Sequence, residues 1–507
     1  MGVLHTELVT ELSLGAKLAL LPISLLLYII VSSVYYTFFH PLAKIPGPKL
    51  YAVTQLPYFY HLTQGDWIVT VSKLHDQYGP VVRFTPNDVS FITADAVKTI
   101  YGHKNSEAKT FQKDLRSYRQ NRPVSDIITS SHDDHKRMRR LLSHAFSIKA
   151  LRRQEDIVNH YVDQFISGLT ERARNGTNVD MVAWYNFATF DLIGHLALGQ
   201  PFGCLETGTY HPWVKVLFTG IKAVLFTQIL ARFGIQKWAN WLIPAKYNKA
   251  TATHYQFTAH AALARIDAND TKSQDFMSYI LRHNDEKGMS KAEIIENASL
   301  LIIAGSETTA TLLSGTTYYL LKNPDKLSKL TNEIRSRFNS EEEITLTAVD
   351  QLQYLLACFS EGLRMYPPVP AGLARLAPKG GELIEGYWVP EKTSVSVPHR
   401  PAYLSSYNFK YPNKFVPERW LDDPEYASDS KPVVQPFSAG PRDCIGKNLA
   451  YTEMRILLTR LLWKFDLELL PESKDWDQQD VFLLYEKRQL HVKLTEVVRE
   501  KSLVDVK

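Results

Sequence analysis

Residues 437–446, FSAGPRDCIG, place one cysteine, Cys444, in a loop rich in glycine and arginine that runs straight into the apolar stretch IGKNLAYTEMRILLTRLLW. A helix N-terminus and its backbone N–H groups favour the thiolate over the thiol, which makes Cys444 suited to ligate a metal. Gly440 and Gly446 lack a Cβ and let the backbone pass close beneath a flat macrocycle. Arg442 can neutralise an acid substituent of that macrocycle, and Phe437 can pack against the sulfur side. Thiolate ligation of a haem iron needs this set of parts. An inert buried thiol is the other reading of a lone cysteine.

A second group, AGSETT at residues 304–309, sets an acid beside hydroxyls in an apolar run. Gly305 costs about 1 kcal/mol relative to alanine in a helix interior, so its use predicts something large against the backbone there. Thr308 can bond to the carbonyl one turn back and open the helix, leaving a groove for O2 and water. Glu307 can relay protons from solvent, and an acid beside a hydroxyl suits O–O scission, in which the distal oxygen leaves as water. Taken alone, the same residues also read as a buried helix whose hydroxyls satisfy one another, with Glu307 in solvent. Glu361 and Arg364 (EGLR) form an i,i+3 pair on a helix ending at Pro367-Pro368, a spacing usually seen in solvated surface pairs. His135 and Arg139 stand one turn apart in the basic segment 134–147 and share a helix face.

The cysteine loop matches the FxxGxRxCxG pattern of the cytochrome P-450 monooxygenases, and the chain resembles that family elsewhere. AGSETT fits its (A/G)Gx(D/E)T(T/S) pattern. The resemblance implies haem b with Cys444 as axial thiolate, Phe437, Gly440, Arg442 and Gly446 around the cofactor, and Glu307 and Thr308 as the catalytic pair. It implies that Glu361, Arg364 and Arg419 (of FVPERW) form an internal carboxylate–guanidinium triad that supports the fold. The family's Trp-x-x-x-Arg reads His135-x-x-x-Arg139 here, without the tryptophan; His135, Arg139 and Arg375 are the expected propionate contacts. By family position, Phe111, Ala304, Val369, Leu373 and Phe482 line a mostly apolar substrate pocket.

The partners so implied are a lipophilic small molecule, O2 and an NADPH-cytochrome reductase, with cytochrome b5 as a further donor. NADPH serves that partner, and no Gly-rich dinucleotide motif is needed in this chain. Lys136, Arg137, Arg140 and Lys447 are expected on the face that steers an acidic reductase. The sequences around His135 and Glu307 are most similar to fungal microsomal members of secondary metabolism, which implies hydroxylation or epoxidation of a terpenoid or polyketide. Two alternatives are a haem-thiolate isomerase or dehydratase that uses no O2, and a non-catalytic haem-binding membrane protein. The acid–threonine pair speaks against both.

Positioning these residues requires long helices. Ser290 and Glu293 form a capping box that opens a helix running to Asn323-Pro324. At about 32 residues it extends ~48 Å, enough to cross a domain. Glu293, Glu296 and Glu307 argue against a membrane span there. Residues 81–93 alternate and are broken at Pro86-Asn87-Asp88, predicting a hairpin. Short strands are expected beyond Val369, and residues 481–497 look like a strand pair. The expected fold is mainly α with a small β portion, a cytochrome P-450 fold preceded by one N-terminal transmembrane helix.

The length of 507 residues suggests several domains, but the motifs between His135 and Gly446 must build one site and no linker divides them. One catalytic domain over residues 51–507 is expected. With 58 Lys+Arg against 53 Asp+Glu, scattered along the chain, nucleic-acid binding has no support. Cys204, Cys358 and Cys444 cannot form a disulfide framework, which suits a reducing compartment. Residues 18–39 carry no charge over about 22 positions, enough to span a membrane, with Tyr35 and Tyr36 at interface depth. A signal peptide and a buried core helix are the alternatives. Glu7, Glu11 and Lys17 lie in the tail before the span, and Lys44 and Lys49 follow it, favouring a cytosolic body on the endoplasmic reticulum membrane. Residues 40–50, with Pro46-Gly47-Pro48, read as a stiff hinge.

Overall fold

The computed structural model describes residues 14–118, 124–268, 270, 272–285 and 288–498; the tail with Glu7 and Glu11, and residues 499–507, lie outside the described residues. The first helix, α1 (Leu14–Val34), passes into one π-helical turn, Tyr35–Phe39. No residue of Leu20–Phe39 is buried against the rest of the molecule, and this helix is long and apolar enough to cross a membrane. The Pro46-Gly47-Pro48 segment is docked rather than free. Pro46 O accepts from Arg83 N at 2.7 Å, and a Cβ on Gly47 would stand 2.2 Å from Arg83 O.

The hairpin expected at 81–93 is β1 (Val81–Thr85) and β2 (Asp88–Phe91), antiparallel about Pro86-Asn87. A two-residue strand, β3 (Gln112–Lys113), precedes α2 (His132–Ala145). That helix opens two residues before the basic segment read from sequence, because the Ser131 side chain accepts from Asp134 N. After β4 (Val179–Asp180), α3 (Met181–Leu198) is apolar on every face and buried nearly all round, as expected of a helix inside the core. Helix α4 (Pro212–Arg232) packs on α5 (Ala245–Asp267), and α5 packs on the long α6 (Lys291–Lys322). Both halves of the Ser290–Glu293 capping box are formed, and α6 ends at Asn323.

Helix α7 (Gln353–Met365) leads into the strand-rich part: β5 (Arg375–Leu376), β6 (Glu382–Ile384), β7 (Tyr387–Val389) and β8 (Ser394–Ser396). One sheet runs in the order β1-β2-β8-β5-β3, with β2 and β8 parallel, while β6 and β7 form a separate hairpin. The last helix, α8 (Lys447–Lys464), is followed by β9 (Phe465–Leu469) and β10 (His491–Glu496). Here the sequence expectation fails. Residues 481–497 hold one strand, not two; Val481 and Tyr485 make only an isolated bridge. Strand β10 pairs instead with β9 and β4, so the partner lies before the intervening loop, where FDLEL alternates apolar and charged residues. The largest apolar cluster unites α2, α3, α6, α7 and α8, and a smaller one lies against the β1–β3 sheet.

Candidate active site

Cys444 is held from its own loop. Its N–H donates to Phe437 O at 2.8 Å, and Gly446 forms the N-cap of α8 two residues later. Gly440 adopts φ +73°, and a Cβ there would stand 2.1 Å from Tyr101 O, so both conformation and space require glycine. A Cβ on Gly446 would come 3.9 Å from the Cys444 sulfur, and the Phe437 ring packs on Tyr451 at 5.2 Å between centroids. The thiol is accessible, yet protein crowds it enough that burial pushes its pKa up, opposed mainly by the Gly446 backbone N–H. An accessible thiol within such crowding borders a cleft.

Helix α6 has an opening of its own. Ala304 is exposed and Ile303, Gly305 and Thr308 are half-buried, whereas the turns on either side are buried. Thr308 Oγ1 donates to Ala304 O at 2.7 Å, the one-turn-back bond expected from the sequence. The close approach at Gly305 is made by protein: a Cβ there would meet Ile193 Cδ1 of α3 at 2.8 Å. Glu307 does not share the Thr308 face. Consecutive helical residues diverge by about 100°, and Glu307 is buried on the other side against Lys487, with Lys487 Nζ also donating to Thr311 Oγ1 at 2.7 Å. Glu307 Oε2 has no protein partner. Glu307 and Lys487 line a cavity of about 400 Å³ together with Tyr210, Lys222 and Phe482. A lysine in an irregular loop carries no motif, so Lys487 could not be read from sequence.

The three expected propionate contacts, with Arg442 and Phe111, line one cavity of about 340 Å³. Arg375 is buried and donates to Tyr118 Oη at 2.9 Å. Arg442 Nη2 donates to Ser130 O and Ser131 O, both at 3.0 Å, while its Nη1 is buried without a protein partner. Burial, then Arg442, Arg139 and Lys113, depress His135 to about 3, so its imidazole is neutral. Arg139 binds the cysteine loop directly, Nη1 to Asp443 O at 2.7 Å and Nη2 to Asp443 Oδ1 at 2.5 Å. Phe111 borders these cations, with Lys104 Nζ 5.3 Å from its ring centroid, so its surroundings are cationic as well as apolar. Val369 O accepts from His399 Nδ1, and Leu373 O accepts from Tyr101 Oη at 2.9 Å, leaving both side chains half-buried.

Glu361, Arg364 and Arg419 are each fully buried and bonded together. Arg364 grips Glu361 through Nε and Nη2, both at 2.8 Å, and Arg419 Nε reaches Glu361 Oε1 at 3.1 Å. Two groups absent from the motif complete the network: Asp429 pairs with Arg419 Nη1, and Trp420 Nε1 donates to Glu361 Oε2 at 2.9 Å. On the basic face, Arg137 is not free to steer a partner. It bonds Asp134 at 2.8 Å and Glu293 at 2.5 Å, tying α2 to the start of α6. Lys136 and Lys447 are exposed, and Arg140 reaches Asp285 at 3.3 Å.

A thiol beside a cleft, a glycine cradle, and buried cations with spare donors fit a haem carrying two carboxylates. The family described as Cytochrome P450 matches residues 46–492. Cytochrome P450 monooxygenase astA of Talaromyces wortmannii is 46% identical over 470 residues, 92% of this chain and 94% of that protein. Cytochrome P450 monooxygenase lcsI of Purpureocillium lilacinum is 44% identical, covering 94% of this chain and 93% of that protein. Cytochrome P450 monooxygenase aclL of Aspergillus oryzae is 44% identical over 93% of this chain and 96% of its own length. With its cysteine loop, α6 opening and cation-lined cavity, this chain belongs to the cytochrome P450 family and is a haem-thiolate monooxygenase.

Proposed function

We propose that the enzyme is anchored by α1 in the endoplasmic reticulum membrane, faces the cytosol, and hydroxylates or epoxidises a lipophilic fungal secondary metabolite of terpenoid or polyketide type. Haem held by Cys444 supplies activation of O2 and transfer of one oxygen atom to the substrate, with electrons from NADPH through a reductase or cytochrome b5. The remaining roles fall to protein side chains. Phe437, Gly440 and Gly446 shape the thiolate side, while His135, Arg139, Arg375 and Arg442 hold the acidic edge of the cofactor. Thr308 keeps its hydroxyl at the α6 opening by donating to Ala304 O, so its oxygen is left as an acceptor that orients a proton-carrying water there. Glu307, paired with Lys487 on the adjoining face of α6 beside a cavity, is the acid from which water would carry protons round to the Thr308 opening. Ala304, Val369 and Leu373 are the walls offered to the substrate, while Phe111 borders the cation-lined cavity and Phe482 the cavity beside Glu307.

The observation that carries this reading is the Thr308–Ala304 bond beside an exposed Ala304 in an otherwise buried helix. The test co-expresses the chain with a reductase, follows oxygenated products across a panel of lipophilic terpenoids and polyketides, and repeats the assay with Thr308→Ala. The variant should keep its haem and its carbon monoxide Soret shift but send NADPH electrons to hydrogen peroxide in place of product. Unchanged coupling would remove Thr308 from proton delivery. Activity fully recovered in a soluble fraction from wild-type cells would remove the membrane anchor.

A further inference from the structure

The segment 369–373 that walls the substrate space lies between α7 and β5 and belongs to no helix or strand. An irregular segment is only as precisely placed as the bonds that hold it. Val369 O accepts from His399 Nδ1 at 2.8 Å, and Pro370 O accepts from Arg400 N at 3.1 Å. Gly372 bridges Pro398, where a Cβ on the glycine would meet Ser396 Cβ at 2.7 Å. Three consecutive residues, Pro398 to Arg400, thus take hold of the wall, and they cap and open a short helical turn, His399–Tyr403. The far end of the same turn holds the cysteine loop. Tyr403 Oη accepts from Gln435 N at 2.8 Å, and Gln435 O accepts from Ser438 N at 2.8 Å, inside the loop that carries Cys444. Tyr403 O accepts from Arg364 Nη1 at 2.9 Å, which ties the turn to the Glu361 network. The His399 ring stacks on the Tyr403 ring, with centroids 5.2 Å apart and planes 9° from parallel, and both residues are buried. One bracket therefore spans from the wall to the thiolate loop.

Within that bracket, His399 supplies the side-chain bond to the wall. A carbonyl can only accept, so Nδ1 carries the proton given to Val369 O. Burial depresses the imidazole to about 4, with the Val369 bond opposing, so the ring is neutral at physiological pH and its tautomer is fixed. A buried histidine satisfied by a carbonyl is ordinarily a packing residue. Here the carbonyl belongs to the wall, and the ring it stacks on belongs to the residue that holds the cysteine loop. We infer that His399 is a positioning residue for specificity: it fixes the gap between the Val369 wall and the Cys444 loop and so selects which carbon of a lipophilic substrate is oxygenated. This rests on the reading of Val369 and Leu373 as substrate walls. Misplacing reacting atoms by ~1 Å costs about 100-fold in rate, so the loss of one bond to the wall is enough to redirect oxygenation between neighbouring carbons. His399 lies in none of the chain's chemical motifs, and its partner is 30 positions away.

Full-length holoenzyme carrying His399→Phe, which keeps an aromatic ring and loses the donor, tests this against His399→Asn, which keeps the donor and loses the ring. Iron-binding imidazoles of increasing bulk are titrated by their Soret shift, and regioisomers from the terpenoid and polyketide panel are quantified in parallel. His399→Phe should change the affinity ratio of bulky to small imidazoles about fivefold, the worth of one hydrogen bond. It should also redistribute regioisomers, while unsubstituted imidazole binds as it does to the wild type. His399→Asn should keep the ratio and the regioisomers of the wild type. An unmoved ratio in His399→Phe, or an equal loss for every imidazole, overturns the inference, because a histidine that only packs would give one or the other. If His399→Phe holds no haem, His399→Asn decides: a wild-type ratio supports the inference and a shifted ratio overturns it. Val369→Phe tests the premise separately. If that variant leaves both ratio and regioisomers unchanged, Val369 is not a wall, an outcome distinct from failure of His399 alone.

Discussion

Two groups of cations, one fully buried and one buried in part, are closed to different degrees. In the first, Arg364 and Arg419 face Glu361 and Asp429, two positive charges against two negative. Arg364 spends its remaining donors on Tyr403 O, Pro412 O and Lys414 O at 2.6–2.9 Å. In the second, Lys113, Arg375 and Arg442 meet carbonyls and a phenol, and one guanidinium nitrogen has no protein partner. A network balanced within the protein reaches its best state on folding and has nothing left to bind. One left positive keeps part of its interaction energy for a ligand. Arginine alone therefore does not mark a site; the charge left over does.

Breaking the closed network should give the largest effect. Arg364→Ala removes three backbone contacts and leaves Arg419 as the cation facing Glu361, beside the Trp420 and Val416 N–H donors, a loss of ~3–5 kcal/mol. The variant should be insoluble or free of haem, measured as the haem-to-protein absorbance ratio, and a normal ratio would take the pair out of any folding role. Asp429→Asn is milder, since Arg419 keeps Glu361 and Lys410 O. It should lower the thermal midpoint by a loss of about 1–3 kcal/mol while haem is retained. Equal damage from both variants would mean that charge balance is not what holds the network.

The sequence carried the parts of the site that sit in local spacing. Cys444, Gly440 and Arg442 share one loop, Thr308 and Ala304 lie one turn apart, and Glu361 and Arg364 lie on one helical face, so each pattern survives in one dimension. The long helix, its cap and the first hairpin were legible for the same reason. What escaped was set by tertiary contact. Asp429 and Lys487 come from irregular segments: Asp429 meets Arg419 10 positions earlier across a stretch with no periodicity, and Lys487 meets Glu307 of α6 180 positions away. Lys113 meets Arg375 only through strand register. Strand β10 was misassigned a neighbour because pairing with β9 crosses a loop that periodicity cannot bridge. Arg137 looked like surface charge because Glu293 is 156 positions away.

Glu453 sharpens the contrast further, as a buried acid with no ion pair among the described residues. It lies on α8 and is buried, its Oε2 has no partner, and its side chain bonds Thr309 of α6. Burial pushes it from the ordinary 4.5 up to about 8, with the Thr309 bond acting weakly the other way. The native carboxyl is thus protonated at neutral pH while the unfolded one is ionised. Because the folded state binds the extra proton, its stability is complete below about pH 4.5 and is lost as pH rises through about 8. The slope is at most ~1.4 kcal/mol per pH unit, a gradual drift where the two substitutions above give a step. Glu453→Gln keeps the shape and removes the titration, so its thermal midpoint should gain on the wild type steadily across that window. Parallel midpoint curves would mean that Glu453 is ionised in the native protein, and an unpaired carboxylate would then have to be tolerated beside α6.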